Sequence, residues 1–198
     1  GKEYSYALTL RMVRKMAAAT PYSTLKWFNA ALSTKNVFVS ENPSICTMIL
    51  ELLSEDQEEK RVYPPIVCTS GQPSHAALEL FDPFVNEGIT LYYSGDLDVK
   101  GLAMASALQE RYREHFQPWG MTTKSVLWWR NNRSDSKAGY GVSFSSDELS
   151  ALRDMNLSWD EQLIETLLES EKPSTIPIKI FQEMLVPLLW DEYEKSFV

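Results

Sequence analysis

The chain is poor in the residues that carry the commonest side-chain chemistries. Its 198 residues include two histidines, His75 and His115, two cysteines, Cys46 and Cys68, and eight glycines. No Gly-x-Ser-x-Gly elbow accompanies the histidines, which argues against a Ser–His–Asp hydrolase. Each histidine is expected to be a surface or helix-capping side chain. The cysteines form no Cys-x-x-Cys pattern and are expected to be buried free thiols, which suits a reducing cytoplasm. The glycines fall into neither the Gly-x-x-x-x-Gly-Lys nor the Gly-x-Gly-x-x-Gly phosphate loop. No apolar run approaches the roughly 18 residues of a membrane helix, so no membrane partner is expected. The first residues, Gly1-Lys2-Glu3-Tyr4-Ser5-Tyr6, lack the apolar stretch of a signal peptide. They also lack an initiating Met, so the chain is expected to be part of a longer protein with an upstream region.

The net charge of −8 argues against a surface that binds nucleic acid all over. That charge is unevenly spread. Residues 147–198 hold twelve acids and four bases, whereas 111–137 hold six bases and two acids, and 1–26 hold five bases and one acid. A local basic strip is compatible with this distribution.

What is present reads as alternating strands and helices. Residues 4–33 are expected to be helical, with a break at Thr20-Pro21. Residues 36–40 form a short apolar strand, and 44–54 a helix with Ile45, Met48, Ile49 and Leu52 on one face. Its end runs into Glu55-Asp56-Gln57-Glu58-Glu59, read as a solvated face. Ile66-Val67-Cys68 is the second strand. A turn from Thr69 to Ser74 leads into a helix that closes at Asn86-Glu87-Gly88. Residues 89–94 form the third strand and 99–114 the next helix. Residues 124–129 are expected to be the fourth strand, followed by a polar loop from Arg130 to Gly141. The remainder is expected to be helical, with breaks near Asn156 and Pro173 and a last helix carrying Ile178, Phe181, Leu185, Leu188 and Leu189. Strands alternating with helices predict an α/β fold, a four-stranded parallel sheet flanked by helices. Three regions follow: a helical lead-in at 1–35, a core at 36–145 and a helical extension at 146–198.

In such sheets functional groups gather beyond the carboxyl ends of the strands. Glu41 ends the first strand, the Thr69–Ser74 turn the second, and Asp96-Leu97-Asp98 the third. Carboxylates crowded at one edge repel one another, and a hard divalent cation such as Mg²⁺ or Mn²⁺ removes that conflict. Taken alone, Asp-x-Asp is also an ordinary turn whose side chains bond nearby amides. An EF-hand is a poor match, because the twelfth position counted from Asp96 is Ala107.

Three stretches occur in order: Val39-Ser40-Glu41-Asn42-Pro43, Val67-Cys68-Thr69-Ser70-Gly71-Gln72-Pro73-Ser74, and Tyr93-Ser94-Gly95-Asp96-Leu97-Asp98-Val99-Lys100-Gly101. Together they resemble the Toprim domain of bacterial proteins related to the A subunit of topoisomerase VI. More narrowly, they resemble the DUF2399 family, which supplies the Toprim nuclease subunit of Wadjet-type anti-plasmid systems containing an SMC-like ATPase complex. The match spans about residues 36–130, and Gln182-Glu183 is compatible with it. The resemblance implies a Toprim fold and a cytoplasmic, metal-dependent DNA endonuclease. Glu41, Asp96 and Asp98 would be both the catalytic groups and the ligands of Mg²⁺ or Mn²⁺. Partners would be plasmid DNA, the SMC-like subunits, an upstream domain and a second copy of the chain. No winged-helix-like domain with a nucleophilic tyrosine is visible, which favours hydrolysis over strand passage.

Candidate DNA contacts are Ser70, Gln72 and Ser74 in the turn, Lys100 beside the acids, and Arg130, Arg133 and Lys137 after the expected fourth strand. For the turn, helix capping and phosphate binding both remain open. The alternatives are a catalytically silent module that docks DNA or partners through its acidic helices, and a phosphohydrolase acting on small molecules.

Overall fold

Val37, Phe38 and Val39 are apolar without alternation, the pattern of a strand buried on both faces, and each is at most 1% exposed. The computed structural model describes residues 8–9, 21–55, 61–132, 142–169 and 177–197. In chain order these form β1 (Leu8–Thr9), α1 (Pro21–Thr34), β2 (Asn36–Ser40), α2 (Pro43–Glu55), β3 (Ile66–Cys68), α3 (His75–Asn86) and β4 (Thr90–Ser94). There follow α4 (Val99–Tyr112), β5 (Phe116–Pro118), α5 (Thr123–Asn132), α6 (Ser146–Arg153), α7 (Leu163–Leu168) and α8 (Val186–Glu194).

The sheet runs β1-β3-β2-β4-β5 with every pair parallel. The expected α/β architecture is therefore present, with the two-residue β1 as a fifth strand at one edge. From β2 the chain goes first to β3 on one side and then to β4 on the other. The strand order thus reverses between β2 and β4, and α/β folds bind ligands at such switch points. Register fixes the place: Ser40 lies beside Ser94 at the carboxyl ends of the two strands.

Three readings of the sequence are corrected. Lys124–Trp129 is helix, not strand. Its apolar run is too short for periodicity to separate the two, and Thr122 decides the outcome by capping. The Ser125 N–H donates to Thr122 Oγ1 (3.3 Å) and to the Thr122 carbonyl (3.0 Å). The sheet is completed by Phe116–Pro118 instead, three residues that carry too little pattern to read. Leu8–Thr9 is strand rather than helix, held by pairing with Val67 and Cys68. The rest of 4–20 lies outside the described residues, as do 56–60. Finally, Ile178 and Ile180 belong to no helix: they form isolated bridges with Ser143 and Leu97, and a 3-10 turn, Gln182–Leu185, precedes α8.

The C-terminal region is built into the core. Phe38 stacks on Tyr92 (4.7 Å between ring centres) and meets Trp119 and Tyr193 edge-on, each at 4.8 Å. The Trp119 indole N–H donates to the Leu189 carbonyl (3.0 Å), and the Tyr193 hydroxyl to the Pro64 carbonyl (2.8 Å). Buried polar groups of this kind need partners, and here the partners tie α8 to the sheet. Cys46 and Cys68 are buried free thiols, as expected.

Candidate functional site

The loops beyond β2, β3 and β4 are stitched to one another by main-chain bonds. Glu41 N–H donates to the Ser94 carbonyl (3.2 Å), Thr69 N–H to the Ser40 carbonyl (2.9 Å), and Gly71 N–H to the Glu41 carbonyl (2.8 Å). To present that last amide the chain adopts positive φ at Ser70 (54°) and Gly71 (96°). The conformation is unfavourable for Ser70, and strain of this sort tends to collect at functional sites.

Glu41 and the Asp96-Leu97-Asp98 turn meet at the switch point. A Cβ placed on Gly95 would lie 3.0 Å from Glu41 Oε2 and 3.3 Å from the Tyr93 hydroxyl. The Glu41 carboxylate therefore folds over the residue that leads into Asp96. Tyr93 donates its hydroxyl proton to Glu41 Oε2 (3.3 Å). Gly101 makes a second close approach possible, since any side chain there would collide with the Asp96 carbonyl oxygen. Asp98 is the N-cap of α4, its Oδ1 accepting from Gly101 N–H (2.9 Å). Asp96 Oδ1 accepts from Gln182 N–H (2.9 Å).

The electrostatics follow from that crowding. Burial, and then the charge of Asp96, push the Glu41 carboxyl up to about 7, with Asp98 adding to the rise. Asp96 is also raised, chiefly by burial and further by Asp98 and Glu183. The Tyr93 phenol is raised by burial and by Glu41. The ion pairs given for the described residues lie elsewhere, and none of them joins a lysine or arginine to Glu41, Asp96 or Asp98.

A hard cation fits this donor set. Glu41 and Asp96 are half-buried carboxylates at one sheet edge with no ion pair among the described residues, and Glu41 Oε2, Asp96 Oδ1 and Asp98 Oδ1 each accept a hydrogen bond. Among the described residues no three His, Cys, Asp or Glu side chains stand grouped as a ready-made cage. Mg²⁺ commonly binds without such a cage, through one or two carboxylates, waters and substrate phosphates.

The other candidates divide. Ser70, Gln72 and Ser74 are exposed on the loop whose Gly71 bonds Glu41. Ser74 stands at the N-cap of α3 but makes no side-chain cap bond. Lys100 is exposed in the first turn of α4. Arg130 sits in α5 rather than in a loop. Its guanidinium donates to the carbonyls of Thr166 and Glu169 and pairs with Glu169 Oε2 at 3.5 Å, so it is occupied at the end of α7. Arg133 and Lys137 lie outside the described residues. Sequence reasoning did not assign roles to Tyr93, Gln182 and Glu183. Tyr93 lay within a stretch that carries the family resemblance, and Gln182-Glu183 was a weaker part of it.

The fold and the placement of the acids define the class: an α/β domain of Rossmann-like topology whose acids gather where the strand order reverses. The family model described as "Protein of unknown function C-terminus (DUF2399)" matches residues 6–193. The chain belongs to that family. No curated protein and no solved structure matches it.

Proposed function

We propose that this chain is a Toprim-type, Mg²⁺- or Mn²⁺-dependent DNA endonuclease domain. The observation that carries the reading is the convergence of Glu41 with the Asp96-Leu97-Asp98 turn at the β2/β4 switch point, with no ion pair to a cation among the described residues. Glu41 and Asp96 would hold the metal, with Asp98 beside them. The bound ion would supply Lewis-acid stabilisation of charge on the scissile phosphate. The value near 7 belongs to the metal-free carboxyl; a bound ion would hold Glu41 ionised, so that its free oxygen could accept a proton from water. Tyr93 orients it. Ser70, Gln72 and Ser74, on the loop that leads into the N-terminus of α3, and Lys100 are exposed and would bind the phosphate backbone. The same resemblance supports cytoplasmic action on plasmid DNA within an assembly that includes SMC-like ATPase subunits.

A second reading has its own observation. Asp98 spends an oxygen on capping α4 and Asp96 spends one on Gln182, as they would in a silent module that binds DNA or partners. Supercoiled plasmid incubated with Mn²⁺ separates the two. The nuclease reading expects nicked or linear product that falls by at least about a hundredfold in Glu41→Gln. Equal cleavage by wild type and Glu41→Gln would sink it. DNA binding without metal-dependent heat of binding would favour the silent module.

A further inference from the structure

We infer that Gln182 is a positioning residue of the acidic site, holding the Glu41 and Asp96 loops in one arrangement. The inference rests on the metal-dependent reading above and goes beyond it. Four bonds converge on the segment from Ile180 to Glu183. Leu97 N–H, between the two aspartates, donates to the Ile180 carbonyl (2.9 Å). Gln182 N–H donates to Asp96 Oδ1 (2.9 Å), and Gln182 Nε2 donates to Ser40 Oγ (3.2 Å), the residue before Glu41. Asn42 Nδ2, on the residue after Glu41, donates to Glu183 Oε1 (2.6 Å). One short turn thus contacts the residues on both sides of Glu41 and the first two residues of Asp96-Leu97-Asp98.

Packing alone does not account for an amide at this position. Gln182 is 0% exposed, and an apolar side chain of similar volume would fill the space. Its Oε1 has no hydrogen-bond partner, and neither has the Oγ of buried Ser94, which lies beside Ser40 across β2 and β4. Ser40 Oγ is also satisfied without Gln182, since it accepts from Asn42 N–H and donates to the Asn42 carbonyl, each at 3.2 Å. The fold therefore keeps a buried, half-satisfied amide whose one side-chain bond aligns the turn that grips Asp96. Groups that orient a metal ligand through a hydrogen bond typically change metal affinity ten- to a hundredfold when removed.

The test uses the 198-residue chain and Mn²⁺ alone as probe. Gln182→Met keeps volume and deletes the one side-chain bond, and Ser40→Ala removes the other end of that bond together with the two bonds between Ser40 Oγ and Asn42. Both are expected to weaken Mn²⁺ binding at least about tenfold by titration calorimetry, and the double variant is expected to be no weaker than Ser40→Ala alone, since Gln182→Met removes nothing that Ser40→Ala leaves in the shared bond. In metal-free protein the Leu97 amide is expected to exchange with solvent faster, while the melting temperature of Gln182→Met stays near wild type. A lower melting temperature with unchanged Mn²⁺ affinity would make Gln182 a packing residue and overturn the inference. Wild-type affinity in both variants would overturn it as well, leaving the functional reading intact. Failure of the wild-type chain to bind Mn²⁺ would overturn both.

Discussion

Glu41 shows how one carboxylate can be costly to the fold and useful to the site. Burial and Asp96 hold its carboxyl near 7, against an ordinary value of 4.5. Between those values the folded chain keeps a proton that the unfolded chain has lost. The unfolded state then binds fewer protons, so stability falls as pH rises through the window. Below 4.5 the penalty vanishes, and above 7 it is complete. Urea midpoints measured from pH 4.5 to 7.5 without metal are expected to fall less in Glu41→Gln than in wild type, and that variant should be the more stable at pH 7.5. A steeper fall in the variant would contradict the placement of Glu41. Added Mn²⁺ should reverse the trend for wild type, since ligand binding to the folded state alone stabilises it. The gain should grow with pH as the carboxylate ionises. A residue whose neutral form suits the fold and whose charged form suits a cation is the usual compromise between stability and activity.

At the scale of elements, helix α5 and the turn into α4 carry opposite lessons. Arg130 stands 16% exposed at its side chain and bonds two carbonyls at the end of α7. Arg130→Ala is expected to cost about 1.5–3 kcal/mol of unfolding free energy, the range for hydrogen bonds to a charged donor, while DNA affinity stays within about twofold of wild type. A salt-dependent loss of DNA binding without loss of stability would instead return Arg130 to the phosphate backbone. Gly101→Ala forces a methyl group onto the Asp96 carbonyl. It should destabilise by about 1–3 kcal/mol, as overpacking does, and reduce Mn²⁺ binding, since the obstructed backbone is that of the acidic turn. The strands β2 to β4 were readable because each is a run of buried apolar residues closed by a local signal: Glu41-Asn42-Pro43, the Thr69–Ser74 turn, and Ser94-Gly95-Asp96. Both ends of the acidic site were readable for the same reason. The position of β5 was not, because three residues ending in Pro118 hold no period. The fate of Arg130 was hidden too, since its partners lie 36 and 39 residues away. Gln182 was further still, 86 residues from Asp96 and 142 from Ser40, a distance over which neither periodicity nor capping rules carry information.

For the molecule as a whole, the consequence of those distant contacts is that the acidic site and the core are closed by the same C-terminal stretch. The turn at Gln182 reaches the acids, and four residues later α8 begins to fill the space over Phe38 and Trp119. Leu188, Leu189 and Tyr193 are each at most 4% exposed. Burial of a large apolar side chain contributes roughly 1.5–3 kcal/mol, so these three together rival the roughly 5–15 kcal/mol by which a domain is stable at all. Residues 186–198 are therefore expected to be indispensable to folding, although they lie beyond the last acidic motif. A chain ending at residue 185 should lose its cooperative thermal transition, bind a hydrophobic dye and lose near-ultraviolet dichroism while keeping helical signal, the marks of a compact state without fixed packing. A wild-type melting temperature in the truncated chain would mean that α8 is an appendage. The separate variant Tyr193→Phe deletes the hydroxyl that donates to the Pro64 carbonyl and keeps the ring. It should cost about 0.5–1.5 kcal/mol and leave the transition cooperative, which distinguishes loss of one hydrogen bond from loss of the core that α8 completes.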